Sequence, residues 1–569
     1  GNLFLSGIAS FVFLGSSRWF AVQLACGPVS NSDPTSPHVL FICVSEVMLL
    51  SSAHSPALTA RPSPQVVCRA QHSVARPQGN GRSSRLYIRR QQRGGVATQV
   101  LQESAPVQTS TTQTPTIPEG GDPWEDPKWQ QYKWTVYRGV AYDLTPYMAR
   151  HPGGSWLINL AIGRDCTALF ESYHLRPEVS VAHLKRLPVL EGFPIEAVPR
   201  SPYPNDSEFY NTVRERVKRE VFKGGEAKGA HRTGSEGAAL AVIGYSALSY
   251  ALYAMDTNVL TGTLLGLAGA WIGLTIQHCG NHGAMSTKPW VNQLMGLTDD
   301  LTGGSSLMWR YHHQVSHHIH CNDDAFDEDV INAFPILRFD ARQPRYWYHQ
   351  YQHIYMWITF PFLNLAFQAG DIQGLFDNRT VGATLYGATP FEKATVILGK
   401  LAHYGLVYAL PFFLHGGSSM LSGAAAYVFA QSIVLAATFA VSHNVPEAKP
   451  IDEGPTREAL YKNHTLERDW GVQQVLTSAN WGGVIGNFMT GGLNLQIEHH
   501  LFPAISFMHY PAIAEIVKDE CEKRGILYNS YATLPEITAR FQRYMREAGT
   551  AEEQPLNKGG MSPAMMAKL

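Results

Sequence analysis

Two runs of 18 residues without a charge, Ala238–Met255 and Val259–Ile276, are separated only by Asp256, Thr257 and Asn258. Lipid offers backbone amides no partners, so runs of this length cross a bilayer as helices, and three intervening residues leave room only for a hairpin. The pattern repeats in Ala394–Leu414 and Met420–Val441, which flank His415-Gly-Gly-Ser-Ser419, and Lys400 is the one charge in all four runs. Ile354–Phe367 is apolar too, but it is 14 residues long and interrupted by Pro361 and Asn364, which predicts an interfacial segment. The mean hydropathy of −0.13 hides these runs because it averages them with polar stretches. Two hairpins return the chain twice to one side. Lys288, Arg310, Arg338, Arg342, Arg345, Arg379 and Lys393 all lie between the hairpins, while the two short hairpin loops have no Lys or Arg, which marks that side as the positive one.

Three histidine clusters fall on this same side. They are His278-Cys-Gly-Asn-His282, then His313-Gln-Val-Ser-His317-His318 with His312 before it, and Gln496-Ile-Glu-His499-His500. Residues four apart share a helix face, so His278 and His282 can address one ion. Adjacent pairs such as His317-His318 and His499-His500 point apart and suit two metals better than one. Imidazole serves iron, zinc and copper alike, and a site of many nitrogens without cysteine argues against structural zinc. The first cluster begins two residues past the second run and His443 lies two past the fourth, so both belong at the membrane boundary.

The boxes HxxxH, HxxxHH and QxxHH resemble those of the membrane fatty-acid desaturases. The glutamine opening the third box is similar to the front-end subgroup, which carries a fused cytochrome b5 domain, and within it the chain resembles green-algal plastid Δ4-type acyl-lipid desaturases. Pro344-Arg-Tyr-Trp-Tyr-His-Gln-Tyr-Gln-His-Ile-Tyr355, Thr477-Ser-Ala-Asn-Trp481 and Gly491-Gly-Leu-Asn-Leu-Gln-Ile-Glu-His-His-Leu-Phe-Pro503 carry the same resemblance, over about residues 122 to 545. It implies two non-haem irons held by His278, His282, His313, His317, His318, His499 and His500, joined by His443. By that pattern His313 is a better ligand than His312. Gln496 and His443 are the candidate catalytic residues beyond the boxes, with Gln496 offering its amide oxygen or holding a water. O2 is the implied co-substrate. Trp309, Tyr311, Trp347 and Trp481 are candidate shapers of an acyl tunnel.

Upstream, Tyr142-Asp-Leu-Thr-Pro-Tyr-Met-Ala-Arg-His151-Pro-Gly-Gly154 is followed by Gly163-Arg-Asp-Cys-Thr167, Phe170 and His174. His151 and His174 can ligate one haem iron from opposite faces, because the Pro-Gly-Gly turn lets the ring lie close to backbone. This segment resembles cytochrome b5. With both axial positions filled, the haem b would carry single electrons and not bind oxygen. Its reductant would be a separate NAD(P)H-dependent reductase or a plastid electron donor, since the chain has no nucleotide-binding fingerprint.

The expected fold is an α+β cytochrome b5-like domain followed by an all-α membrane desaturase domain with four transmembrane helices and a histidine-box di-iron cap. In order, we expect an extension upstream of Met48 over 1–47, a plastid transit-like segment over 48–70, and a disordered linker over 71–121. The b5-like domain would follow at 122–198, a connector at 199–235, the desaturase domain at 236–545 and a disordered tail at 546–569. The transit-like reading rests on a stretch from Met48 rich in Arg and Ser, with no acidic residue before Glu103. It places the protein in a chloroplast membrane, with the endoplasmic reticulum as alternative. The net charge of −1 gives no sign of nucleic-acid binding, and seven scattered cysteines without a CxxC pair give neither a disulfide framework nor a thiolate site.

The expected reaction is insertion of a cis double bond on the carboxyl side of existing ones in a lipid-linked acyl chain, at Δ4 of a C16 group on a galactolipid. Δ5 or Δ6 action on longer chains, Δ8 desaturation of a sphingolipid, and lipid hydroxylation are the alternative enzyme readings. A membrane haem carrier with structural histidines is the non-catalytic one.

Overall fold

The computed structural model describes residues 10–13, 19–25, 41–47, 123–199, 207–223, 229–449 and 469–555. The chain divides into two compact units, Gly1–Ala105 and Pro106–Leu569. In the first, strands β1 (Ser10–Phe13), β2 (Trp19–Ala25) and β3 (Phe41–Val47) pair antiparallel, with Phe11 opposite Ala21 and Val22 opposite Val44. The transit-like segment at 48–70, the linker up to residue 121 and the tail beyond 555 lie outside the described residues.

The second unit opens with the small domain expected from the His-Pro-Gly-Gly signature. Strands β4 (Trp134–Tyr137) and β5 (Val140–Asp143) form a hairpin whose two-residue turn, Arg138-Gly139, has φ of 48° and 76°. Positive φ at both turn positions matches the twist of the flanking strands. Trp134, Val136, Leu144 and Ile162 are buried beneath it. Helix α1 (Thr167–Tyr173) follows, preceded by Asp165, whose carboxylate accepts from the Thr167 backbone N–H at 2.9 Å.

The stretch expected as a polar connector holds a buried helix, α2 (Glu208–Glu220), whose N-terminus is capped by Ser207. Charged residues dominate its composition, but Phe209, Tyr210, Val213 and Val217 recur on one face. That face packs into the largest apolar cluster with Ile276, Ile497 and Phe502.

Among the described residues, three helical stretches are long and apolar enough to cross a membrane: Ala230–Met255, Val259–Asn281 and Pro390–His443. The expected third and fourth helices form one such stretch. The third stretch runs 54 residues without a loop and is broken only at Gly416, where φ is 83° and ψ 171°. Helical backbone resumes directly after this single residue, so the expected His415 to Ser419 connection is a kink. Leu240, Leu248, Leu252, Leu398, Leu401, Phe413 and Leu421 face outward on these stretches. Lys400 is buried and pairs with Asp371 at 2.6 Å, donating also to the carbonyls of Gly303 and Gly304. The charge inside an apolar run is thus neutralised within the protein. The expected interfacial segment forms helices Gln352–Thr359 and Leu363–Asp377, which expose Ile354, Ile358 and Leu365 while burying Met356 and Asn364. The last helix, Leu534–Thr550, runs beyond the expected domain end at 545.

The small domain is locked onto the helical one by buried polar contacts. Arg310 donates to the Trp156 carbonyl at 2.8 Å and pairs with Glu392 at 2.8 Å, while Arg164 donates to the Thr384 carbonyl at 2.6 Å. At Gly387 a Cβ would lie 2.0 Å from the Asn159 carbonyl oxygen, so only glycine permits this approach. Gly387→Val should therefore force the two domains apart and destabilise the protein by about 1–3 kcal/mol. Thermal unfolding in detergent, followed by tryptophan fluorescence, reads this as a lowered midpoint.

Candidate metal centre and haem site

The first two histidine boxes stand on widened helix. Val259–Ile272 passes through a π-helical turn, Gly273–Gln277, immediately before His278, and Arg310–His317 is itself π-helical. Such turns reset which side chains share a face. His313 therefore aligns with His318, five residues on, their Nε2 atoms 3.0 Å apart, and its ring lies farther from His317 at 5.3 Å between centroids. A regular α-helix would have paired His313 with His317.

All eight expected ligands converge. One group comprises His278, His282, His313 and His499, and a second His317, Cys321, His443 and His500, each with potential ligand atoms within 4.8 Å of one another. His318 bridges them, its Nε2 2.9 Å from that of His499 and its ring stacked 4.3 Å from His500. The adjacent pairs divide as their sequence implies, with His499 in the first group and His500 in the second, their ring planes at 84°.

Each of five rings gives one nitrogen to an outer partner. His282 Nδ1 lies 2.6 Å from the Tyr173 hydroxyl, His317 Nδ1 3.1 Å from the Asp327 carboxylate, and His443 Nδ1 3.1 Å from the Thr477 carbonyl. His499 Nδ1 meets the Tyr510 hydroxyl at 3.3 Å and His500 Nδ1 the Gln474 amide at 2.8 Å. The inward Nε2 atoms of His282 and His500 are buried without a hydrogen-bond partner, as is Gln496 Oε1. Burial, reinforced by neighbouring imidazoles, holds His282, His313, His318, His499 and His500 well below the ordinary histidine pKa, so their lone pairs are free. His278 Nε2 also lies 3.0 Å from His313 Nε2. Two ligand nitrogens at right angles, each about 2.1 Å from one ion, are separated by about 3.0 Å, so the spacing fits a metal better than mutual hydrogen bonding.

His317 behaves differently. Burial opposes its charge, but Asp327 and Asp329 outweigh burial and raise its pKa, the arrangement of a carboxylate orienting a metal-binding imidazole. His312 turns away from both groups to Glu328 at 2.9 Å and to Asp329. Gln496 donates through Nε2 to His443 Nε2 at 2.8 Å. Glu498 in the same box points outward, accepting from Asn480 at 2.7 Å and Tyr528 at 3.0 Å. Of the aromatics expected at a tunnel mouth, Trp309 stacks on His313 at 4.3 Å and Trp481 bonds to Ser442 beside His443. Tyr311 instead faces Arg164 of the small domain, and Trp347 is 77% exposed, so neither borders the cluster.

In the small domain His151 and His174 face each other, ring centroids 6.3 Å apart. Their Nδ1 atoms bond to the carbonyls of Gly154 at 3.1 Å and Phe170 at 2.7 Å. A carbonyl only accepts, so each Nδ1 carries the proton and each Nε2 is the free ligand atom. Burial depresses both pKa values, that of His174 to about 4. Two imidazoles on one iron at bonds of about 2 Å place their centroids about 6 Å apart, so the gap fits a haem plane.

Comparison with known proteins agrees with this geometry. Residues 257–532 match the fatty acid desaturase family model, and 127–198 match the cytochrome b5-like heme/steroid binding domain. The chain is 74% identical over 444 residues to the chloroplastic acyl-lipid (7-3)-desaturase of Chlamydomonas reinhardtii, covering 78% of this chain and 86% of that one. It belongs to the cytochrome b5-fused front-end desaturases. Its similarity extends to the acyl-lipid (8-3)-desaturase of Physcomitrium patens, at 32% identity over 73% of this chain and 88% of that one. The acyl-lipid (7-3)-desaturase of Rebecca salina is 32% identical over 72% and 89% respectively. The desaturase is thus an oxidoreductase whose family implies haem and iron.

Tyr173, Cys321, Asp327 and Asp329 of this desaturase were not foreseen. Burial pushes the Cys321 thiol pKa well up. Asp327 and Asp329 follow the second box closely in sequence, and carboxylates that close behind a histidine box were the available signal. Asp327→Asn should weaken iron binding about 10–100-fold, read as lost non-haem iron by mass spectrometry with haem absorbance unchanged. His174→Ala should abolish the six-coordinate haem spectrum while leaving non-haem iron in place.

Proposed function

We propose that this desaturase inserts a cis double bond at Δ4 of a polyunsaturated C16 acyl group carried on a galactolipid. The observation carrying the reading is the convergence of seven histidines in two groups, with His318 between them, where apolar helices end. The substrate –CH2–CH2– becomes –CH=CH–, and its two hydrogens, two electrons and two protons reduce O2 to two waters. Removal of hydrogen from an unactivated methylene is beyond any side chain and is the chemistry bound iron supplies. His278, His282, His313 and His499 would hold one ion and His317, His443 and His500 the other, with His318 between. Gln496 is placed beside His443, its unpartnered Oε1 available to a ligand or water.

The chain would cross the membrane four times. At 1.5 Å per residue, a 54-residue helix is about 80 Å long, far beyond a hydrocarbon core of about 30 Å. The kink at Gly416 divides Pro390–His443 into two stretches of spanning length. All boxes and the haem domain then share one side. The chloroplastic relative and the acid-free basic stretch after Met48 support a chloroplast membrane. The electron donor would be an NAD(P)H-dependent reductase or a plastid carrier.

Read as 7 minus 3, the designation of that relative points to carbon 4. More distant relatives named (8-3)- and Delta(5) desaturases make Δ5 action the second choice. Expression in a host lacking polyunsaturated C16 and C20 acids, with feeding and mass-spectrometric location of the new bond by lipid class, tests the reading. A Δ4 bond is expected from the wild type and none from His499→Ala. A bond on the methyl side of existing ones refutes front-end action, and a bond at Δ5 or Δ6 refutes only the position.

A further inference from the structure

We propose that Tyr173 is a positioning residue that carries the electron path from the haem domain into the metal centre. Tyr173 ends helix α1 and directly precedes His174, the residue facing His151 across the haem gap. Its hydroxyl lies 2.6 Å from His282 Nδ1, 109 positions away in sequence. The other nitrogen of His282, Nε2, is buried, lacks a hydrogen-bond partner, and belongs to the first histidine group.

A metal-bound imidazole has its lone pair engaged at Nε2, so Nδ1 carries a proton and donates it to the tyrosine oxygen. The route from one candidate iron ligand to the other is therefore His174, one peptide link, the Tyr173 ring, one hydrogen bond and His282. No other part of this route leaves the covalent chain. Neighbouring contacts hold it closed. Leu157 of the haem domain sits where a Cβ on Gly283 would meet it at 2.9 Å, next to His282, and helix α1 packs against His318–His320. The Tyr173 ring lies 6.0 Å from that of His282 at 32°, a separation spanned by the hydroxyl.

The inference rests on the desaturase reading above. In each transfer a ferrous haem becomes ferric and one ferric non-haem iron becomes ferrous. Two transfers and two protons serve one turnover, and a one-electron donor protein of the flavin or iron–sulphur class restores the haem. Tyr173 is not itself oxidised; it supplies the contact and fixes the ring of His282.

The test uses full-length protein in detergent with excess ferrous iron, comparing wild type with Tyr173→Phe, which keeps the ring and removes only the hydroxyl. The haem is reduced with stoichiometric dithionite and mixed with oxygenated buffer and acyl lipid. Its reoxidation is followed by absorbance, alongside haem midpoint potential, non-haem iron content and product. The expected result is reoxidation slowed about tenfold or more, the usual scale for losing an outer partner of a metal ligand, with potential and iron content unchanged. Wild-type reoxidation in Tyr173→Phe overturns the proposal. Loss of non-haem iron from the variant also overturns it, because the tyrosine would then only secure a ligand. Wild-type protein that neither holds non-haem iron nor desaturates would instead sink the underlying reading.

Discussion

The structure depends on an arrangement that is costly in the absence of a cation: eight imidazoles, seven of them buried and His313 half-buried, with their nitrogens directed at one another. His278, His313, His318 and His499 bring Nε2 atoms to within about 3 Å of a neighbour, and His313 and His318 each face two such neighbours, so the one proton or lone pair at each of those nitrogens is shared between two contacts. Burial keeps the rings neutral, so charging them does not relieve the conflict. The surrounding shell accepts no other reading easily. Tyr173, Asp327, Thr477, Gln474 and Tyr510 occupy the outer nitrogens of His282, His317, His443, His500 and His499, which turns the remaining nitrogen of each ring inward. A fold that spends this many buried polar contacts on ring orientation is organised around what those rings hold.

The widened turns explain how three short motifs become two ligand groups. A π turn adds a residue per turn, so His313 reaches His318 while His317 swings to the opposite group and its carboxylates. The third box is fixed differently. Asn480, from the Thr477 to Trp481 motif, accepts from the Ile497 backbone and donates to Glu498, while the carbonyl of Thr477 takes the proton of His443. The motif's polar residues are thus a brace for the third box.

What could be read from the sequence were features with a local signature. Histidine spacing marked the boxes, His-Pro-Gly-Gly marked the haem turn, and charge-free runs marked the apolar helices. What could not be read depended on partners distant in the chain. Helix α2 looked like a connector because its charged residues outnumber the apolar ones, yet four apolar residues on one face commit it to the core. Gly416 was legible as a break but not as a single-residue kink, because glycine permits both a loop and one residue at positive φ. Tyr173 carried no signal at all, since its partner His282 belongs to another domain. Tyr311, an aromatic near a box, was assigned to the acyl path by proximity in sequence; the π turn directs it instead toward Arg164.

Domain docking changes how electron supply has to be understood. A flexible tether raises local concentration to about the millimolar range and leaves each encounter to diffusion. Here the segment between the domains includes helix α2, and the interface is anchored by Arg310, whose guanidinium joins the Trp156 carbonyl to Glu392. Arg310 also begins the π segment that bears His313 and His317 and leads into His318, so the residue that seats the haem domain also positions the second box. Displacing one would strain the other. The same coupling limits where a donor protein can bind, because the face of the haem domain toward Glu392, Thr384 and Gly387 is already occupied.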